Sequence, residues 1–269
     1  MQRERIFNVP GVILGLVAVM AAVHALREYG LDEAMDAELL RRFAFVPGRF
    51  ALMFDPAGVA DSIDAGGGAM VEEARFFLGD GGAQWWTPVS YAFLHADWMH
   101  FGVNSIWLAA FGTPVARRFG ASLFLAFMAL TAVAGAMTHF AFHVFDFEPV
   151  VGASAAVSGA MAGAIRFIFQ PHGPLGEGAG FGSLATSTYR QPALSVTQTL
   201  VNSRTMPFIL LWFVVNYVFG AFATPLGLSD APVAWEAHAG GFLAGLLLFS
   251  LFDPVARAAA LRRRDDRGP

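Results

Sequence analysis

The stretch "VVGASAAVSGAMAGA", residues 150–164, decides the fold. It has no charge and almost no bulk, and its two serines, Ser154 and Ser158, are four residues apart. Gly152/Ala156, Ala155/Gly159 and Gly159/Gly163 are small-xxx-small pairs, which let helices approach to backbone contact in an apolar bundle. Helical spacing puts both hydroxyls on one face. Taken alone the segment reads as packing, and the rest of the chain must say whether a hydroxyl also does chemistry.

The chain of 269 residues is 56% hydrophobic and 14% charged, with mean hydropathy +0.53. That is too apolar for an ordinary soluble domain and implies an all-α, polytopic membrane protein. It has no cysteine, which excludes disulfides and thiolate metal sites. The net charge of −4 gives no electrostatic reason to expect nucleic acid as a partner. Apolar runs occur at about 7–26, 98–116, 119–145, 149–165, 205–229 and 237–252, so six spanning helices are predicted. Arg3 and Arg5 before an apolar stretch ending in "VHA" also fit a cleaved secretion signal, and either way residues after it are expected outside.

The basic residues are all arginine. Arg117 and Arg118 lie between the second and third runs, Arg166, Arg190 and Arg204 between the fourth and fifth, and "LRRRDDR" follows the sixth. The short alternate connections, with Asp146, Glu148, Asp230 and Glu236, carry none, while the long segment 27–97 carries several, and long loops weigh little in topology. Positive charge on the inner side then predicts both termini in the cytoplasm, with 170–204 a mobile cytoplasmic loop and 253–269 a cytoplasmic tail. Residues 27–97 form a long external loop between helices 1 and 2, rich in aromatic pieces suited to the headgroup layer. The whole chain, 1–269, reads as a single membrane domain.

Polar groups within such runs are costly and mark a site or a packing contact. His100 and Asn104 share one face of helix 2, with His95 a turn before; Ser154 opens helix 4; His238 opens helix 6. Helices 2, 4 and 6 all run inward, which sets these groups at one depth near the external face. A hydroxyl, an imidazole base and further donors at one level are the components of serine catalysis. His139 and His143 read as hydrogen-bonded within the bundle.

These motifs together resemble the rhomboid family of intramembrane serine proteases. "HADWMHFGVN" fits its H-x4-H-x3-N pattern at His95, His100 and Asn104; "GASAAVSG" fits the serine motif; "AHAGGFLAG" fits A-H-x-x-G-x-x-x-G; "QWWTPVSYAFLH" resembles the loop before helix 2. The resemblance covers about 80–252. It implies Ser154 as nucleophile and His238 as base, an oxyanion hole of His100, Asn104 and the Ser154 N–H, a structural role for His95 and Gly152, and Gly241 and Gly245 as the close contact of helix 6 with helix 4. It implies no cofactor and no metal. The implied activity cleaves transmembrane protein substrates within a lipid bilayer, with the active site open to the external face; the lack of a recognisable targeting peptide and the arginine-only basic set are what suggest a bacterial inner membrane. Helix 5 and residues 220–236 are expected as a lateral gate.

Three residues depart from the family pattern. Ala155 stands where glycine usually follows the serine, adding a methyl beside the nucleophile. Thr87 follows Trp86 where arginine is usual. Ser158 stands where some members carry an aromatic that stacks on the histidine, so His238 must be oriented by something else. Ser158 is also a rival nucleophile. The main alternative function is an inactive relative that binds transmembrane segments. A transporter is disfavoured because no carboxylate lies within any run, and metalloprotease chemistry because "HFAFH" at 139–143 lacks the glutamate.

Overall fold

The computed structural model describes residues 9–79, 81–82, 84–176, 186–222 and 233–265. Helix α1 (Gly11–Gly30) is followed by a helical layer, α2 (Glu33–Phe43), α3 (Pro47–Ala51), α4 (Pro56–Leu78) and α5 (Thr87–Ser90). The bundle continues through α6 (Trp98–Trp107), α7 (Thr113–Phe119), α8 (Ala121–Phe142), α9 (Ser154–Ile165), α10 (Val196–Val201), α11 (Thr205–Phe222), α12 (Trp235–Phe252) and α13 (Pro254–Asp265). Among the described residues the β-bridges come to one isolated pair, Phe45 with Val150. The molecule is an all-α polytopic membrane protein.

Of the six predicted runs, α1, α8 and the stretch Trp235–Ala259 are long and apolar enough to cross a membrane. The second run is interrupted: a π-helical turn, Leu108–Gly112, separates α6 from α7. Pro114 explains it, since it has no N–H to donate and its ring crowds the carbonyl four residues back, so the ladder opens there. The fourth run is shorter than expected. Gly152 has φ +123°, which bars helix at that point, and α9 begins only at Ser154. Its 12 residues rise about 18 Å, well under a bilayer core of about 30 Å. Such a helix is tolerable only inside protein, and every residue from Ala155 to Ile165 is buried.

Close packing around α9 comes from glycines. A Cβ added at Gly159 would fall 2.5 Å from Thr131 of α8, and one at Gly245 of α12 would fall 2.2 Å from the Gly159 carbonyl oxygen. Residues 27–97 are mostly helical and pinned down. Arg49, 3% exposed, donates to the carbonyls of Gly82 (2.6 Å) and Phe77 (2.8 Å). Trp86 and Ser90 donate to the carbonyls of Arg42 and Phe43. Thr87 Oγ1 donates to the Gln84 carbonyl at 2.8 Å.

The arginines read as topology markers are structural as well. Arg118 and Asp253 form a two-pronged ion pair, 2.9 and 2.8 Å, with side chains 0% and 3% exposed. Arg118 also donates to the carbonyls of Tyr189 and Gln191, and Arg166 to those of Leu194 and Leu246. The described part of 170–204 is thus anchored under the bundle and includes α10 with a Ser195–Gln198 capping box, where a plain mobile loop is expected. The expected gate at 220–236 lies largely outside the described residues.

Candidate active site

Two glycine contacts fix how α12 lies on α9. A Cβ at Gly241 would be 2.1 Å from the Ala155 carbonyl oxygen, and the matching contact is Gly245 on Gly159. Both glycines and both partners are four residues apart, so the helices run parallel and in register. Continuing that register toward the N-termini brings His238 level with Gly152, beside Ser154.

His100 reaches the same level from α6. A Cβ on Gly152 would lie 2.7 Å from His100 Nε2 and 3.7 Å from Ser154 Oγ. Glycine is therefore required there for space as well as for φ. The Ala96 N–H approaches His100 Nδ1 at 3.4 Å, which makes Nδ1 the acceptor and leaves the proton on Nε2, facing Gly152. Asp97 caps α6 by accepting from the His100 N–H at 2.7 Å. Asn104 is buried and one of its amide protons goes to the His100 carbonyl at 2.9 Å. Ser154 is the first residue of α9, so its own N–H belongs to the donors a helix start leaves without intrahelical partners.

His95 is fully buried and meets His100 edge-on, ring centroids 5.1 Å apart. Burial, with His100 and His24 nearby, pushes its imidazole down to about 3, so it stays neutral. Its carbonyl accepts from Arg27 Nη1 at 2.6 Å, which ties the end of α1 to the segment entering α6.

The orientation of His238 comes from a residue the sequence did not single out. His238 Nδ1 is 2.6 Å from Asn216 Oδ1 of α11. Asn216 Nδ2 donates to the Trp212 carbonyl at 2.9 Å, so its oxygen must be the atom facing the ring. Nδ1 therefore carries the proton and Nε2 keeps its lone pair free to act as a base. The available signal was one amide in an otherwise apolar helix, and its partner lay on another element.

Among the described residues, neither Ser154 Oγ nor His238 Nε2 has a hydrogen-bond partner, so the Ser–His bond itself is not made. Such bonds are often loose before substrate binds. Ser158 Oγ donates to the Ser154 carbonyl at 2.7 Å and is 5% exposed, a packing role. Ala155 is 1% exposed, and its methyl occupies the space Gly135 of α8 leaves: a Cβ at Gly135 would be 2.4 Å from it. An apolar cavity of about 80 Å³ lined by Ala153 and Ala156 lies nearby, but none of the polar groups above borders it.

One reading of the sequence needs correction. Helix α12 starts at Trp235, so Glu236 lies in its first turn, and a carboxylate does sit within the bundle, its side chain 12% exposed. It faces His139 (3.7 Å) and His143 (3.4 Å).

Residues 82–253 match the model of the Rhomboid domain family. No curated protein matches the chain.

Proposed function

The chain belongs to the rhomboid family of intramembrane proteases and their inactive homologues, and from that premise we propose that it is an active serine endopeptidase using Ser154 and His238. The observation that carries the reading is the register of α12 on α9 through Gly241 and Gly245. It accounts for why those positions are glycine and for what His238 is next to.

In this mechanism Ser154 Oγ attacks the scissile carbonyl and His238 Nε2 takes its proton. Asn216 holds the Nδ1–H tautomer throughout. The tetrahedral oxyanion takes hydrogen bonds from His100 Nε2–H, the remaining Asn104 amide proton and the Ser154 N–H. His238 then protonates the leaving amine, water enters, and the acyl-enzyme is hydrolysed by the same base. A helix hides its carbonyls in its own ladder, so the substrate is a transmembrane segment that unwinds at the cut, with small or helix-breaking residues near it.

The long segment 27–97, with arginines of its own, packs at the Ser154 end of the bundle, while the shorter arginine-bearing connections, with Arg117 and Arg118, with Arg190 and Arg204, and after Asp253, lie at the opposite end. By the positive-inside rule that end faces the cytoplasm, both termini with it, and the active site opens to the external face of a bacterial inner membrane. Residues 1–269 act as one membrane-embedded unit.

The second reading, a non-catalytic binder of transmembrane segments, draws on the unmade Ser154–His238 hydrogen bond. Fluorophosphonate labelling of the purified protein decides between them. Labelling lost in Ser154→Ala and His238→Ala but kept in Ser158→Ala supports the protease. An unlabelled, well-folded wild type would overturn it in favour of the binder.

A further inference from the structure

Beyond the catalytic groups, the last turn of α8 and the first turn of α12 converge three potential ligands. His139 and His143 are one helical turn apart with rings stacked, centroids 4.3 Å apart. Glu236 approaches from α12, with Oε2 3.7 Å from His139 Nδ1 and Oε1 3.4 Å from His143 Nε2. One ligand atom from each of the three lies within 4.8 Å of the others.

Two further features of the cluster point to a ligand. The His139 side chain is 9% exposed, and among the described residues its Nδ1 has no hydrogen-bond partner although it is aimed at the carboxylate. A buried polar atom left this way is uncommon and calls for a partner. His143 Nδ1 lies 3.7 Å from Asp146 Oδ2, too long for a hydrogen bond but on the side where an outer carboxylate orients a ligating imidazole, and its Nε2 contacts Glu236 Oε1 at 3.4 Å.

We propose that His139, His143 and Glu236 bind a first-row transition dication, best matched by Zn²⁺. Two imidazoles and one carboxylate form a three-ligand set for tetrahedral zinc with a fourth position for water. Zinc–ligand bonds of about 2.0–2.1 Å put ligand atoms about 3.3 Å apart; the two imidazoles stand 3.4 and 3.7 Å from the two different Glu236 oxygens, and the full set lies within 4.8 Å, so the ligands must draw in. Side-chain adjustment closes the rest. Calcium and magnesium are excluded by the nitrogen ligands, since they take oxygen. The bound ion clips the start of α12 to the end of α8, two residues before His238. This site stands whether or not Ser154 is catalytic.

The test uses the full chain, purified with a histidine-free tag, stripped by chelator, and dialysed against Zn²⁺. Wild type and Ser154→Ala are expected to hold one zinc per chain, and Co²⁺ to give the intense visible bands of tetrahedral coordination. Glu236→Gln, nearly isosteric, should weaken binding at least about 10-fold, Asp146→Asn about 10-fold, and the His139→Ala/His143→Ala pair should abolish it. His172→Ala should change nothing. A wild type that binds no stoichiometric zinc overturns the proposal and leaves the cluster a histidine–glutamate ion pair. Unchanged stoichiometry and affinity in Glu236→Gln would overturn it equally.

Discussion

At its last turn α9 leads into Arg166, and at its first turn it presents Ser154. Both are polar groups inside an apolar bundle, yet their surroundings differ. Around Arg166 and Arg118, the Asp253 carboxylate and the carbonyls of Tyr189, Gln191, Leu194 and Leu246 take up the guanidinium protons. The rings of Phe167 and Phe249 cover the charges. Around Ser154 the groups are less paired: among the described residues Oγ and His238 Nε2 have no hydrogen-bond partner, and His100 turns Nε2 toward Gly152. Satisfied polar groups hold a structure together, whereas convergent unsatisfied ones can act on something else.

The comparison breaks first at Ser154. Ser154→Ala is expected to reduce cleavage of a transmembrane reporter in liposomes by about 10⁴-fold or more, with thermal stability unchanged. The opposite end should show the reverse pattern. Arg118→Ala leaves Asp253 buried and unpaired, a loss of about 3–5 kcal/mol. It should appear as a lower Tm in detergent with labelling per folded molecule retained. Equal loss of labelling and stability in both variants would erase the distinction between the two ends.

The register between α9 and α12 is tested more finely by Gly241→Ala. The methyl meets the Ala155 carbonyl oxygen, part of the backbone, so the helices must separate. Displacing His238 by about 1 Å should cost on the order of 10²-fold in kcat. Asn216→Ala should act in the same direction but less, about 10-fold in kcat with KM little changed, and Asn216→Asp should recover most of it by keeping the acceptor oxygen. A fall in stability without the kcat effect would make Asn216 a packing residue.

Much of this arrangement was legible in the sequence because it depends on local spacing. The apolar runs, the order of the three motifs and the small-residue face of 150–164 required no tertiary information. What escaped depended on contacts between elements. The charge-free run begins at Ala237, so Glu236 falls outside it although the helix begins two residues earlier, at Trp235. Asn216 had no neighbour in sequence to suggest a partner. Arg118 and Arg166 looked like flanking charges because a cation at a helix end usually reaches water, and only the fold shows Asp253 closing over one of them. Gly152 was read as small, but its positive φ, which shortens α9 and sets the depth of Ser154, is a backbone property.

The smallest expected effect concerns Ala155, the residue beside Ser154 that departs from the family pattern. Its methyl faces away from the site into the gap at Gly135, so the two positions form a pair: small on α8, larger by one carbon on α9. Ala155→Gly should leave labelling and cleavage within about 2-fold and cost roughly 1 kcal/mol, mostly helix propensity with some lost packing. Gly135→Ala alone should be much worse, because its methyl collides with that of Ala155. Combining the two should recover only part of the loss, because a Cβ at Gly135 also falls 2.7 Å from the Ala237 carbonyl oxygen, which Ala155→Gly leaves in place, and a double-mutant cycle on Tm measures the Ala155 share. If Ala155→Gly instead raised activity several-fold with no effect on stability, the methyl would be crowding Ser154 rather than packing against α8. The free end of α9 would then be strained as well as unpaired.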